Sequence, residues 1–168
     1  FAELRLRQCA KLKLPATLFW SLLRLWCYAL PTSRRFRNRE AVGACPFGCG
    51  AVGGDDIRHF AACPLVFAAF LPIVGGVNSW PNLTGIRNVF LLKPRDCTHE
   101  VVLGAAIADT LVHNFLYFRR SPPQGAGVVS QAFNERLCLL MQWSPRVKAA
   151  VVAAKGGNLL LAPLIVLD

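Results

Sequence analysis

Acidic residues are scarce in this sequence of 168 residues, which has nine Asp and Glu against nineteen Lys and Arg and a formal net charge of +10. Asp55 and Asp56 are the one adjacent acidic pair, and they follow two glycines as a helix cap would. Catalysis by two metal ions needs clustered carboxylates, so the sequence argues against that class of enzyme.

Residues 1–39 carry nine Lys or Arg and only one acid, Glu3. A first quarter this basic predicts an anionic partner, most often a nucleic acid.

The chain also lacks a secretion signal, because Leu alternates with Arg and Lys over residues 1–14 and no continuous apolar run forms. Seven cysteines in a chain without that signal do not predict a disulfide framework. We expect an intracellular protein, in the nucleus or cytoplasm.

With 54% hydrophobic and 17% charged residues, the chain is not disordered overall. It begins at Phe1, so we expect a fragment of a longer protein.

The hydrophobic pattern predicts a mainly α protein, a small helical domain with a short zinc-knuckle-like insertion and little or no sheet. The strongest helix prediction covers residues 98–120, where one apolar stripe repeats every three or four residues: Leu103, Ile107, Leu111, Phe115 and Phe118. Other helices are predicted over 16–30, 64–77 and 128–143, and the first of them is expected to be buried around most of its circumference. Residues 1–14 fit a strand or a helix equally. The apolar tail from residue 144 has no clear period and is expected to pack poorly.

These elements divide the chain into four predicted segments. They are a basic and apolar N-terminal helical segment (1–40), a metal motif (41–66), a helical region (67–120), and a linker with a degenerate apolar tail (121–168). Residues 60–77 and 149–167 are apolar enough to raise membrane association as a further hypothesis. The first of these runs is short for a bilayer, which takes about 20 residues, and contains two prolines, so we do not expect a membrane span.

A Cys-x3-Cys-x9-His-x3-Cys pattern is formed by Cys45, Cys49, His59 and Cys63. Thiolate and imidazole are the ligands that structural zinc prefers, and four of them fall within nineteen residues. Glycines beside Cys49 allow a tight turn, and an Asp-capped helical turn would place His59 and Cys63 on one side. The alternative is that these are ordinary buried thiols and an unrelated histidine. Cys97 or His99 could supply a substitute ligand.

A basic run with one aromatic residue precedes this motif and is a candidate nucleic-acid contact. One arginine side chain can donate two hydrogen bonds to a phosphate group, and a phenylalanine ring can stack on a base. The candidate contacts are Arg34, Arg35, Phe36, Arg37 and Arg39. The alternative interpretation is a solvated connector whose phenylalanine points inward.

Three segments together resemble the region that follows the polymerase domain in reverse transcriptases of non-LTR retrotransposons. They are residues 26–36 (WCYALPTSRRF), 45–50 (CPFGCG) and 53–64 (GGDDIRHFAACP), and the helix over 104–120 is also similar. The segment TSRRF resembles dinoflagellate-type open reading frames derived from such elements. The resemblance covers residues 20–120 and implies a Cys-Cys-His-Cys zinc site at residues 45, 49, 59 and 63. The Cys-x3-Cys turn is one residue longer than that family's usual Cys-x2-Cys.

The resemblance implies that the parent protein binds element RNA or target DNA during target-primed reverse transcription. This chain lacks the aromatic-x-Asp-Asp motif of the polymerase palm, and no complete set of catalytic residues is present. We therefore predict a zinc-stabilised nucleic-acid-binding fragment that is not an enzyme and takes no small-molecule substrate. The alternatives are a zinc-stabilised protein-interaction module and a non-functional retroelement remnant.

Overall fold

The computed structural model describes residues 7, 10–27, 29–32, 43–60, 62–74 and 98–154. These residues contain six α-helices and no strand, so the prediction of a mainly α fold is confirmed. In chain order the helices are α1 (Ala16–Trp26), α2 (Ile57–Phe60), α3 (Pro64–Val74), α4 (Thr98–Phe118), α5 (Ala126–Trp143) and α6 (Pro145–Ala154).

Helix α4 is the centre of the fold, and α1, α5 and α6 all pack against it. The predicted stripe from Leu103 to Phe118 is buried, but so are residues on other faces of the helix, among them Ala105, Ala106 and Ala108. These small side chains let neighbouring helices approach closely, so α4 is buried around most of its circumference.

The window Val101–Phe118 in α4 is, by length and composition alone, apolar enough to cross a bilayer, and it is the one such window among the described residues. However, 78% of it is buried inside the protein, as expected of a core helix.

Helix α1 starts directly after Pro15, which is its N-cap residue, and ends at Trp26, four residues before the predicted end. Its buried side chains, Leu18, Ser21, Leu22 and Leu25, follow helical spacing and form one face. The expectation of a helix buried around most of its circumference was wrong, because Trp20 is 61% exposed.

Helix α5 confirms the helix predicted over residues 128–143, and α6 overturns the expectation of a poorly packed tail for residues 145–154. Val147, Ala150 and Val151 of α6 are buried at spacings of three and one. Ser144 precedes α6 and accepts a hydrogen bond at its Oγ from the Val147 N–H (3.4 Å), with Pro145 as the first helical residue. A serine cap followed by proline is a strong helix start. Residues 155–168 lie outside the described residues.

A buried carboxylate, Asp109 of α4, joins three helices through hydrogen bonds. Its Oδ1 accepts from Ser21 Oγ of α1 at 2.8 Å. Its Oδ2 accepts from Arg136 Nε and NH2 of α5 at 2.9 and 2.7 Å. Asp109 and His113 are four residues apart, a spacing that would suit an ion pair on the surface of a helix, but Asp109 is buried. This Asp109 clamp satisfies a charge that burial would otherwise make costly.

The clamp gives a test of the fold. We expect Arg136→Ala to destabilise the protein by about 3 kcal/mol, because it leaves the Asp109 carboxylate buried without its counterion. Chemical denaturation monitored by circular dichroism measures this change. Arg120→Ala removes an exposed arginine and is the matched control, with an expected change of less than about 0.5 kcal/mol. Equal stability of the two variants would contradict the role of the clamp.

Candidate metal centre

The turn that carries Cys45 and Cys49 is closed by backbone hydrogen bonds. The Gly48 N–H donates to the Cys45 carbonyl at 2.9 Å, and the Cys45 N–H donates to the Ala51 carbonyl at 3.3 Å. Gly48 has a φ of +78°, a conformation that side chains other than glycine disfavour. The tight turn predicted from the glycines is therefore present.

The second pair of candidate ligands, His59 and Cys63, is arranged differently from the prediction. Asp56 caps α2, since its Oδ1 accepts the Arg58 N–H at 3.1 Å, and His59 lies within that short helix. However, α2 ends at Phe60, and Cys63 lies just before α3. The two residues therefore do not share one helix, and the turn between α2 and α3 brings them to the same place.

The four predicted ligands meet at one point of the structure. Their ligand atoms all lie within 4.8 Å of one another, so the cluster could hold a metal ion. Cys45 and Cys63 are buried, with their Sγ atoms 3.8 Å apart. Cys49 and His59 are half-buried, and Cys49 Sγ is 3.2 Å from His59 Nε2. We call these four residues the metal cluster.

The charges of the cluster fit a cation. Hydrogen bonding between the two buried sulfurs raises the pKa of Cys45 and lowers the pKa of Cys63. Burial raises both pKa values, but at Cys63 the backbone N–H groups of Val66 and Leu65 act in the opposite direction. Cys63 is therefore the sulfur that holds negative charge at the start of α3, where the helix dipole favours it. A bound metal ion would replace the proton that the two sulfurs share.

Gly54 lies between the two halves of the metal cluster. A Cβ atom added there would stand 2.8 Å from Cys45 Cβ, 2.9 Å from the Ala51 carbonyl oxygen and 3.1 Å from His59 Cδ2. Any larger residue would have to separate Cys45 from His59. Sequence reasoning treated Gly54 only as a flexible lead into the helix cap and missed this close packing.

The turn is anchored to the helical core by Phe47, which lies between the two cysteines and is fully buried. Its ring contacts Phe60, Phe118 and Phe133 edge-to-face, at centroid distances of 5.3, 6.2 and 5.7 Å. Phe60 in turn contacts Phe115 of α4 at 5.1 Å. These five rings form the aromatic cluster. The metal cluster therefore rests directly on α4 and α5, and nothing in the local spacing of the motif signals that contact.

The remaining predicted site residues lie outside the described part of the chain. These are Arg34, Arg35, Phe36, Arg37 and Arg39, together with the alternative ligand Cys97. Their roles stay predictions.

Comparisons with protein-family models, with curated proteins and with solved structures found no match to this chain. The resemblance to retrotransposon proteins therefore also stays a prediction.

The packing at Gly54 generates a test of the centre. We expect Gly54→Ala to weaken metal binding by about tenfold, because overpacking of this kind costs about 1–3 kcal/mol and here it would push ligands apart. Competition with a chromophoric chelator measures the affinity. Gly127→Ala, at a helical position with no atom within 4 Å of the added methyl group, should bind metal like the unmodified chain. Unchanged affinity in Gly54→Ala would show that the metal does not need this arrangement.

Proposed function

We propose that this chain is a nucleic-acid-binding module whose helical fold is stabilised by one structural zinc ion. The observation that carries the proposal is the convergence of three cysteines and one histidine within 4.8 Å. Four protein ligands leave no open coordination position, which is typical of structural zinc sites and not of catalytic ones.

Zinc is favoured by both the ligand types and their spacing. Sulfurs bound at about 2.3 Å to a tetrahedral zinc ion lie about 3.8 Å from each other. The Cys45 and Cys63 Sγ atoms are 3.8 Å apart. A sulfur and an imidazole nitrogen on the same ion would be about 3.5 Å apart. The 3.2 Å between Cys49 Sγ and His59 Nε2 is close to that value. Harder ions such as Mg²⁺ and Ca²⁺ prefer oxygen ligands and do not fit this set.

Nucleic acid is the proposed partner because of charge. The nine basic residues among the first 39 form the densest positive stretch in the chain. The predicted contacts Arg34, Arg35, Arg37 and Arg39 stand shortly before the metal cluster in sequence, with Phe36 among them. The resemblance to the region after a retrotransposon polymerase supports the same partner, RNA or DNA. In this proposal the cysteines and His59 hold the fold and take no part in catalysis.

A zinc-stabilised protein-interaction module is the second candidate. Val52, in the loop between the two ligand pairs, is 97% exposed and gives that loop an apolar tip. One apolar side chain is weaker support than the basic stretch, so we place nucleic-acid binding first.

The zinc proposal predicts one equivalent of zinc in the purified chain. We expect Cys49→Ser and His59→Ala to lose the metal and to lower thermal stability, because a ligand that binds only the folded state adds to its stability. At a free zinc concentration of 100 Kd that gain is about 2.7 kcal/mol. Elemental analysis and thermal melts with and without chelator measure both effects. Cys138→Ser, on α5 and outside the metal cluster, should retain the metal. A zinc content near zero in the unmodified chain would refute the proposal.

The nucleic-acid proposal predicts binding that weakens steeply with salt, since counterions are released from each neutralised phosphate. Reversing the charge of Arg34, Arg35, Arg37 and Arg39 to Glu should remove most of the affinity without loss of zinc. Fluorescence anisotropy with labelled RNA and DNA at several salt concentrations tests this. Affinity that does not change with salt, or that survives charge reversal, would favour the protein-interaction alternative.

A further inference from the structure

A second basic region, formed by residues other than the predicted arginine contacts, lies where the segment before α1 meets the start of α6. Arg146 at the beginning of α6 donates from NH1 to the backbone carbonyl of Leu12. Both α1 and α6 pack on α4. This contact places the segment before α1 beside the first turn of α6, so the side chains that flank the contact contribute to one region of the surface.

The charges in this region all have the same sign. Residues 10–27 and 143–154 contain five basic residues and no acidic residue. All five are exposed, and they are Lys11, Lys13, Arg24, Arg146 and Lys148. No carboxylate in these two stretches neutralises the surface, so its positive field is available to an anionic partner.

Two exposed tryptophans belong to the same two stretches of the chain. Trp20 on α1 is 61% exposed and Trp143 at the end of α5 is 68% exposed. Neither tryptophan is among the residues that its own helix buries. Helix α1 buries Leu18, Leu22 and Leu25, and α5 buries Val129, Phe133, Leu137 and Leu140. Both are within eight residues of the Leu12–Arg146 contact. We call the two tryptophans and the five cations the tryptophan face.

We propose that the tryptophan face binds single-stranded nucleic acid, with bases stacking on Trp20 and Trp143 and the surrounding cations contacting phosphates. Proteins that bind single strands combine exposed aromatic rings with a positive track. A duplex keeps the faces of its bases stacked inside the helix, where tryptophan cannot reach them. The inference rests on the proposed nucleic-acid function and adds to it a strand preference and contacts in the described structure.

An anionic membrane surface is the competing partner, because tryptophan and basic residues also occur together at lipid headgroups. The single strand is favoured because Leu18, Leu22 and Leu25 of α1 are buried in the core and Trp20 is the one large apolar side chain of that helix that is exposed. Membrane binding by an interfacial helix needs an apolar face free to enter the lipid.

The test compares binding of a labelled oligothymidine and a labelled duplex, each of about 20 units, which is longer than a typical single-domain site. We expect the unmodified chain to prefer the single strand. Trp20→Ala and Trp143→Ala should each weaken single-strand binding by about 5-fold or more, while Trp→Phe at either position retains most of the affinity.

Tyr117→Ala is the matched control, since Tyr117 is an aromatic residue 57% exposed in the last turn of α4, outside the tryptophan face. It should bind like the unmodified chain. Zinc content and circular dichroism verify that each variant is folded.

The charges give a second readout. Replacing Arg146 and Lys148 with Ala should reduce the slope of log affinity against log salt by about 1.4, which corresponds to two phosphate contacts on a single strand.

The outcomes separate this inference from the function on which it rests. One outcome overturns the tryptophan face and leaves the nucleic-acid proposal in place. It is loss of binding when Arg34, Arg35, Arg37 and Arg39 are changed to Glu, together with full single-strand binding by the double variant Trp20→Ala/Trp143→Ala. Equal loss in Tyr117→Ala, or a preference for the duplex, also overturns it. A chain that binds neither oligonucleotide refutes both proposals, and binding only to phosphatidylserine vesicles assigns the face to membranes.

Discussion

The insertion of Phe47 into the aromatic cluster is the contact on which the rest of the arrangement depends. Phe47 lies two residues from each cysteine of the turn, and its ring is fixed against Phe118 of α4 and Phe133 of α5. Edge-to-face pairs of this kind contribute about 0.5–1.5 kcal/mol each beyond the burial of their area. A backbone held at Phe47 has little freedom at Cys45 and Cys49, so the core positions two ligands before any metal binds. In return, a bound ion would hold Phe47 in the core. With an ion bound, the metal cluster and the helices would therefore stabilise each other and would not behave as separate parts.

The convergence of the four candidate ligands was predictable because the information is local. Cys45, Cys49, His59 and Cys63 lie within nineteen residues, and a turn closed by glycine is a short-range property of the chain. The position of Phe47 was not predictable, because it depends on Phe118 and Phe133, which are about seventy or more residues away. For the same reason the local pattern of α1 does not show that Ser21 is buried and hydrogen-bonded. Its partner Asp109 is 88 residues away, and only the packing of α1 on α4 brings them together.

Helix α6 shows a different limit of prediction from the sequence, which is the absence of a hydrophobic period. Its start signal, Ser144 followed by Pro145, is present in the sequence and works as that pattern normally does. The apolar residues of the helix after Pro145 are all Ala or Val, and residues 149–154 form a run of them that gives no clear period. Val147, Ala150 and Val151 are the ones that become buried, because α4 offers them a surface. Capping chemistry is therefore a better signal for this helix than hydrophobic periodicity. The stripe of α4, with large residues at every turn, was recognisable for the opposite reason.

Helix α4 connects the two surfaces to which we assign functions. Its last turn, through Phe115 and Phe118, supports the metal cluster, and Asp109 two turns earlier holds α1 and α5. Since α1 carries Trp20 and α5 carries Trp143, the spacing of the two tryptophans depends on the same helix that supports the metal cluster. A shift of α4 after metal loss would therefore be felt in the Asp109 clamp, which tolerates little movement because its hydrogen bonds are 2.7 to 2.9 Å long. In the proposed function, zinc thus contributes to nucleic-acid binding without contacting it, by fixing the helix from which both tryptophan-bearing helices take their positions.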